Sequence, residues 1–196
     1  MLDAAGLNLR AALPIATYDA AVPEPWRSAA LLPSAGCAIV IASGGRALWD
    51  AFSRAPESSA IADPLDAYTR RVTEAAAAEL EPGARALFAF ERRGGAYADF
   101  VELGRLAGLG APSRLKLLLH PIYGPWMSLR AIVLARFEWN GGLATPLGFD
   151  PCRDCPAPCE ATGPDFTARR RACVVGPEHV YCDAALDHHR RHAVFS

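Results

Sequence analysis

Two hydrophobic periods alternate along this chain. The run "GCAIVIAS" (36–43) is unbroken apolar sequence with β-branched residues at its centre, the pattern of a buried strand. Directly after it, "GRALWDAFSRA" sets Leu48, Phe52 and Ala55 at helical spacing. Asp63-Pro64 reads as an N-cap followed by proline at the first helical position; it opens a long helix to about Leu80, which Pro82-Gly83 ends. Asp66 then sits in the first turn, facing the positive end of the helix dipole. The stretch "ARALFAFE" (84–91) predicts a strand, Gly94-Gly95 a loop, and "YADFVELGRLAGLG" (97–110) an amphipathic helix stopped by glycine. Two further strands follow, "RLKLLLH" (114–120) and "LRAIVLARFEW" (129–139), with a turn at Asn140-Gly141-Gly142. Pro23 and Pro25 predict extended structure over residues 14–32. The last two strands lie too close together for a parallel crossover helix, so they are expected to pair antiparallel. With strands and helices alternating loosely elsewhere, the expected class is α+β, a mixed sheet flanked by helices.

Composition narrows the setting. The chain has 196 residues, 52 % of them hydrophobic, enough for a sizeable core. Its formal net charge of −1 and the lack of a basic face before residue 168 argue against duplex nucleic acid as a partner. No run reaches the roughly 20 apolar residues of a membrane span. The first residues carry an acid at position 3 and no basic segment ahead of an apolar one, so no secretory signal is predicted. A cytoplasmic location is the expectation, and thiols stay reduced there. Cys37 sits alone in an apolar run and reads as a core residue, whereas Cys152, Cys155, Cys159, Cys173 and Cys182 cluster in the last quarter. That clustering divides the chain into a body, 1–145, and a Cys-rich tail, 146–196.

The chemistry concentrates in two places. Between the last two strands lies His120-Pro121-Ile122-Tyr123-Gly124-Pro125-Trp126, far richer than a hairpin turn requires. Its glycine permits close backbone approach, its aromatics offer flat apolar faces with one polar handle, and its prolines stiffen it, so a ligand costs less order on binding; the alternative is a Trp-capped connection packed on the core. His120 is either hydrogen-bonded locally at a strand end or a metal ligand. Arg130 lies inside an apolar strand, where an unpaired cation is expensive; it pairs with a carboxylate or faces a cleft and takes an anionic group. In the tail, Cys152-x2-Cys155-x3-Cys159 approximates the bacterial ferredoxin run, with Gly163-Pro164 where the fourth Cys-Pro would stand. Three assignments stay open: a single [4Fe-4S] cluster completed by Cys173 or Cys182, a zinc site drawing on three or four thiolates with His179, or a metal-free remnant. The choice of Cys173 follows from "FTARRRAC", which resembles the segment leading to a ferredoxin ligand. The basic, His-rich stretches "ARRRAC" and "DHHRRHAV" read as solvated helix ends.

These residues also carry a family likeness. "ADPLDAYTRRV" followed by "HPIYGPWMSLRAIVL", with "GLNLRAALPIATYDAAVP" and "CAIVIASGGRALWDAF" upstream, resembles the cblC-type cobalamin-processing proteins over roughly residues 6–137. "AGLGAPSRLKLLLHPIYGPWMSLRAIVL", then "PCRDCPAPCEATGP" and "FTARRRAC", is similar to the epoxyqueuosine reductases, which carry the same scaffold with a ferredoxin-like segment behind it. The resemblance implies a modified nitroreductase-like fold, a bound cobalamin, and removal of its upper ligand with flavin or glutathione. It implies His120, Tyr123, Gly124, Trp126 and Arg130 as cofactor-binding residues, with Arg130 where the family's thiol-cosubstrate arginine lies. It implies Cys152, Cys155, Cys159 and Cys173 as ligands of one [4Fe-4S] cluster. No residue is assigned as catalytic. The expected function is a corrinoid-binding redox protein, partnered by a thiol or an electron-donor protein and compatible with a homodimer. A non-enzymatic cobalamin carrier or electron-transfer module is the rival from another class.

Overall fold

A computed structural model describes residues 1–59, 63–91, 97–141 and 148–192. The loop expected at Gly94-Gly95, the last residue of the Asn140–Gly142 turn and the boundary placed at 145/146 lie outside the described residues. The centre of the body is a four-stranded sheet in the order β1 (Leu9–Pro14), β2 (Cys37–Gly44), β6 (Met127–Ala135), β3 (Arg85–Phe88). All three pairings are antiparallel, so the α+β class holds while the expected mixture of strand directions is not found among the described residues.

Side chains alternate across a strand, and here both faces are buried. In β2 and β6, Val40, Ile132 and Leu134 point to one face, where α1 (Ile15–Ala21) and α4 (Phe100–Leu106) cover them with Tyr18 and Leu103. Ile41, Ala131 and Val133 point to the other, beneath α2 (Ala47–Phe52) and α3 (Pro64–Leu80), which contribute Phe52, Leu65, Tyr68 and Val72. An unbroken apolar run is what a strand covered on two sides requires. Cys37 is fully buried at the start of β2, and burial pushes its thiol pKa up, as befits a core residue.

Four local expectations need correction. Residues 14–32 are not extended: α1 occupies Ile15–Ala21, and 3₁₀ turns follow at Glu24–Trp26 and Ser28–Ala30. Pro23 restricts only Val22 before it, which is extended, and so terminates the helix rather than preventing it. The α4 helix starts later than Tyr97, at Phe100, where the Asp99 carboxylate accepts the Glu102 N–H. Asp63 does not cap α3 through its side chain; its backbone is left-handed, and its carbonyl accepts the N–H groups of Asp66 and Ala67 at 3.0 Å. Nor do the strands flanking the aromatic loop pair with each other. β6 has both edges taken by β2 and β3, so β5 (Leu118–Leu119) pairs with β4 (Ala111–Pro112) in a separate small sheet.

The tail folds back on the body through α5 (Phe166–Arg171), α6 (Asp183–His192) and short 3₁₀ turns at Pro158–Glu160 and Pro177–His179. Asp165 caps α5, its carboxylate accepting the N–H groups of Thr167 and Ala168. Among the described residues no helix is long and apolar enough to cross a membrane.

Candidate functional site

The aromatic loop is a seam between body and tail. His120 and Gly124 exchange backbone hydrogen bonds of 3.1 and 2.8 Å, closing the loop tightly. The Nδ1 of His120 accepts the N–H groups of Ile122 (3.0 Å) and Tyr123 (3.3 Å), the local role open to it from the sequence. Burial, and then the nearby His179, hold the imidazole pKa below its ordinary value. The Tyr123 ring lies between His120 and His179, with centroids 5.1 and 4.6 Å away, and its hydroxyl accepts from Asn8 Nδ2 at 3.3 Å. Gly124 does allow a close approach, but to the chain itself: a Cβ there would lie 1.9 Å from the Val175 carbonyl oxygen. Trp126 is 1 % exposed, with the Tyr181 ring 5.3 Å away and the Arg170 guanidinium stacked 4.4 Å over it.

Above β6, the tail leaves a cavity of about 900 Å³. Its walls are the start of α3 (Asp63, Leu65, Asp66), Phe90, Ser128 and Arg130 of β6, α5, Tyr181, and α6 with His188 and His189. Of the five residues expected to hold a cofactor, Arg130 lines this cavity; His120, Tyr123, Gly124 and Trp126 do not. The Tyr181 and Ser128 hydroxyls are 3.0 Å apart. Neither Arg130 nor Arg170 has a carboxylate partner at ion-pair distance among the described residues, and the Nε of each is buried without a hydrogen-bond partner. Burial pushes both guanidinium pKa values down; Tyr181 opposes this at both, and Asp66 also opposes it at Arg130. Both stay charged, because arginine starts so far above neutrality. The second Nη of Arg170 donates to the Pro125 carbonyl at 2.6 Å. Both arginines line the cavity, so its floor is cationic and suits an acceptor-rich or anionic ligand. Arg170, within the stretch expected to be a solvated helix end, instead stacks on Trp126 and lines the cavity. The signal that could have found it was Trp126, a large apolar surface in need of a cover.

The cysteines of the tail lie in two places. Cys152, Cys155, Cys159 and Cys173 line one small pocket with Leu115 and Leu119, whereas Cys182 packs near Trp126 and Tyr181. The Ala157 N–H points at the Cys155 sulfur at 3.4 Å, and the Cys173 thiol is held above its ordinary pKa by burial and by the three other thiols. His179, a candidate zinc ligand, instead contacts Tyr123 and Glu178. The donor chemistry is that of a thiolate metal site. The space is not: the pocket encloses about 10 Å³, and no group of three or more His, Cys, Asp or Glu is gathered for one ion among the described residues.

No protein-family model and no curated protein matches the chain. Its fold is similar to that of a C. elegans B12-trafficking protein CblC, a homologue of human MMACHC, with a TM-score of 0.62 and 16 % identity over 89 % of this chain and 82 % of that one. It is also similar to epoxyqueuosine reductase from Streptococcus thermophilus, with a TM-score of 0.51 and 13 % identity over 89 % of this chain and 55 % of that one. A selenomethionine-labelled epoxyqueuosine reductase gives a TM-score of 0.51 and 15 % identity over 83 % of this chain and 50 % of the other. The chain therefore spans about half the length of these reductases. At such identities the likeness establishes the fold, the α+β architecture of cblC-type, nitroreductase-like proteins.

Proposed function

We propose that the chain binds a corrinoid in the cavity between β6 and the tail and supports reductive removal of its upper ligand. The carrying observation is the cavity itself: about 900 Å³ of space lined by Arg130 and Arg170, neither with a carboxylate partner at ion-pair distance among the described residues. The fold shared with a B12-trafficking protein supports the same reading. A corrin is a broad apolar disc rimmed with amide acceptors. Leu65, Phe90, Phe166 and Leu186 supply apolar wall, and the two guanidiniums with the Tyr181 and Ser128 hydroxyls supply donors. Removing a cyanide upper ligand is a one-electron reduction: the cobalt–carbon bond breaks, cyanide leaves with the bonding pair, and cobalt(III) becomes cobalt(II). The electron is assigned to an external donor, a reduced flavin, an anionic thiol such as glutathione, or a donor protein. Arg130 is the residue proposed to take the carboxylate of the thiol.

Turnover of cyanocobalamin, followed by absorbance with reduced flavin or glutathione present, tests the enzymatic part of this reading. Loss of the cyanocobalamin bands at a rate proportional to protein supports it. Saturable binding without turnover assigns the chain to cobalamin carriage, and no binding removes the corrinoid altogether.

A further inference from the structure

The helix α5 stands between the two places where the tail carries chemistry. One side belongs to the cysteines. Arg169 donates from Nε to the Cys159 carbonyl (3.2 Å) and from a terminal nitrogen to the Arg114 carbonyl (3.3 Å), and Ala172 and Cys173 pack beside Leu115, Leu119 and Cys159. The other side belongs to the cavity, which Phe166, Thr167, Ala168, Arg170 and Arg171 line. Six residues make a rod of only about 9 Å. So short an element transmits a shift at one side to the other instead of absorbing it by bending. The next residue after Arg169 is the one that stacks on Trp126 and lines the cavity.

We propose that α5 couples the cysteine pocket to the cavity, with Arg169 as the positioning residue that sets the place of Arg170. Whatever shifts the backbone at Cys159 or Cys173, alkylation of a thiol for example, then alters ligand affinity in the cavity. Linkage makes the effect reciprocal: a ligand held by Arg170 biases the cysteine pocket by the same factor. The functional meaning of this coupling rests on the cavity being the ligand site; the mechanical link does not.

The experiment separates the two. The near-ultraviolet circular dichroism of Trp126 is taken as the difference between protein with and without Trp126→Phe, in ligand-free wild type, Arg169→Gln, Arg169→Lys and Arg170→Met. Far-ultraviolet spectra check the fold, and aquacobalamin is titrated by absorbance into each. Arg169→Gln should change the Trp126 band in the direction that Arg170→Met changes it and weaken aquacobalamin binding about tenfold, within the usual 5–150-fold range of such couplings. Arg169→Lys, whose amine reaches one of the two carbonyls, should restore part of both. A Trp126 band identical to wild type in folded Arg169→Gln overturns the coupling, whether or not cobalamin binds; if that variant does not fold, an unchanged band in Arg169→Lys overturns it. A shifted band in protein that binds no aquacobalamin leaves the coupling standing and removes the corrinoid reading.

Discussion

The loop at 120–126 and the cavity floor formed by Arg130, Arg170, Ser128 and Tyr181 meet at Trp126, which Arg170 and Tyr181 cover, and they differ in what remains unpaired. In the loop, His120 accepts two backbone N–H groups, Tyr123 is bonded to Asn8, Gly124 abuts Val175, and Trp126 is covered by Arg170 and Tyr181. On the floor, two buried guanidinium Nε atoms have no partner. The loop is thus finished by folding, while the floor keeps two cationic side chains that line an open cavity. Unusual residue types advertise a junction as readily as a ligand site; unsatisfied buried polar atoms discriminate between them.

The comparison breaks hardest at Trp126. As a buried anchor under the tail, its replacement by Ala should cost about 3–5 kcal/mol in urea denaturation, the range for a large aromatic removed from a core. Trp126→Phe should fold and keep cobalamin affinity close to wild type. A large affinity loss in folded Trp126→Phe would return the loop to the ligand site. Next comes Gly124→Ala. Its left-handed backbone (φ +53°) and the Val175 carbonyl leave no room for a Cβ, so thermal unfolding should report a loss on the order of 2 kcal/mol, with faster proteolysis of the tail.

Arg130→Met sharpens the other side. Because Arg130 has no ion-pair partner among the described residues and its Nε is orphaned, removing it should leave stability equal or higher. The Michaelis constant for an anionic thiol should nevertheless rise about tenfold, or ~1.4 kcal/mol. Destabilised Arg130→Met protein would mean that a structural partner had been lost.

Smallest is the pH effect at His120. Its folded pKa lies below the ordinary 6.5, so the unfolded chain binds the proton more readily. Its contribution to stability is therefore complete above pH 6.5 and is lost as pH falls through 6.5 toward the depressed folded value. Protonation of Nδ1 would also set a donor against the Ile122 and Tyr123 N–H groups. Denaturation midpoints between pH 7.5 and 5.5 should fall less steeply in His120→Asn, whose side-chain carbonyl accepts the same bonds. Parallel slopes in the two proteins would assign the pH dependence elsewhere.

The elements that were legible in the sequence are those whose burial is written locally. The continuous apolar run of β2 and the period of α3 each state which faces are covered, and Pro64 and Pro82-Gly83 mark where the helix begins and ends. Pairing was less legible. Nothing in "RLKLLLH" says that β6 already has neighbours on both edges. The cavity was legible only through Arg130, an arginine in an apolar strand. Arg170 looked like one of three surface arginines, and its burial depends on Trp126 lying beneath it in the folded chain. Among the cysteines, spacing grouped Cys152, Cys155 and Cys159 and the resemblance of "FTARRRAC" added Cys173, while the small volume of their pocket is a property of the packed tail alone.

One titration decides whether the cavity between β6 and the tail holds a corrinoid. Aquacobalamin is added to wild type and to Ala168→Trp, which places an indole in the cavity from α5. The account predicts saturable binding with base-off spectral character by wild type, and binding at least tenfold weaker by the folded variant (about 1.4 kcal/mol). Equal affinity in the two proteins, or no spectral change with wild type, would contradict it.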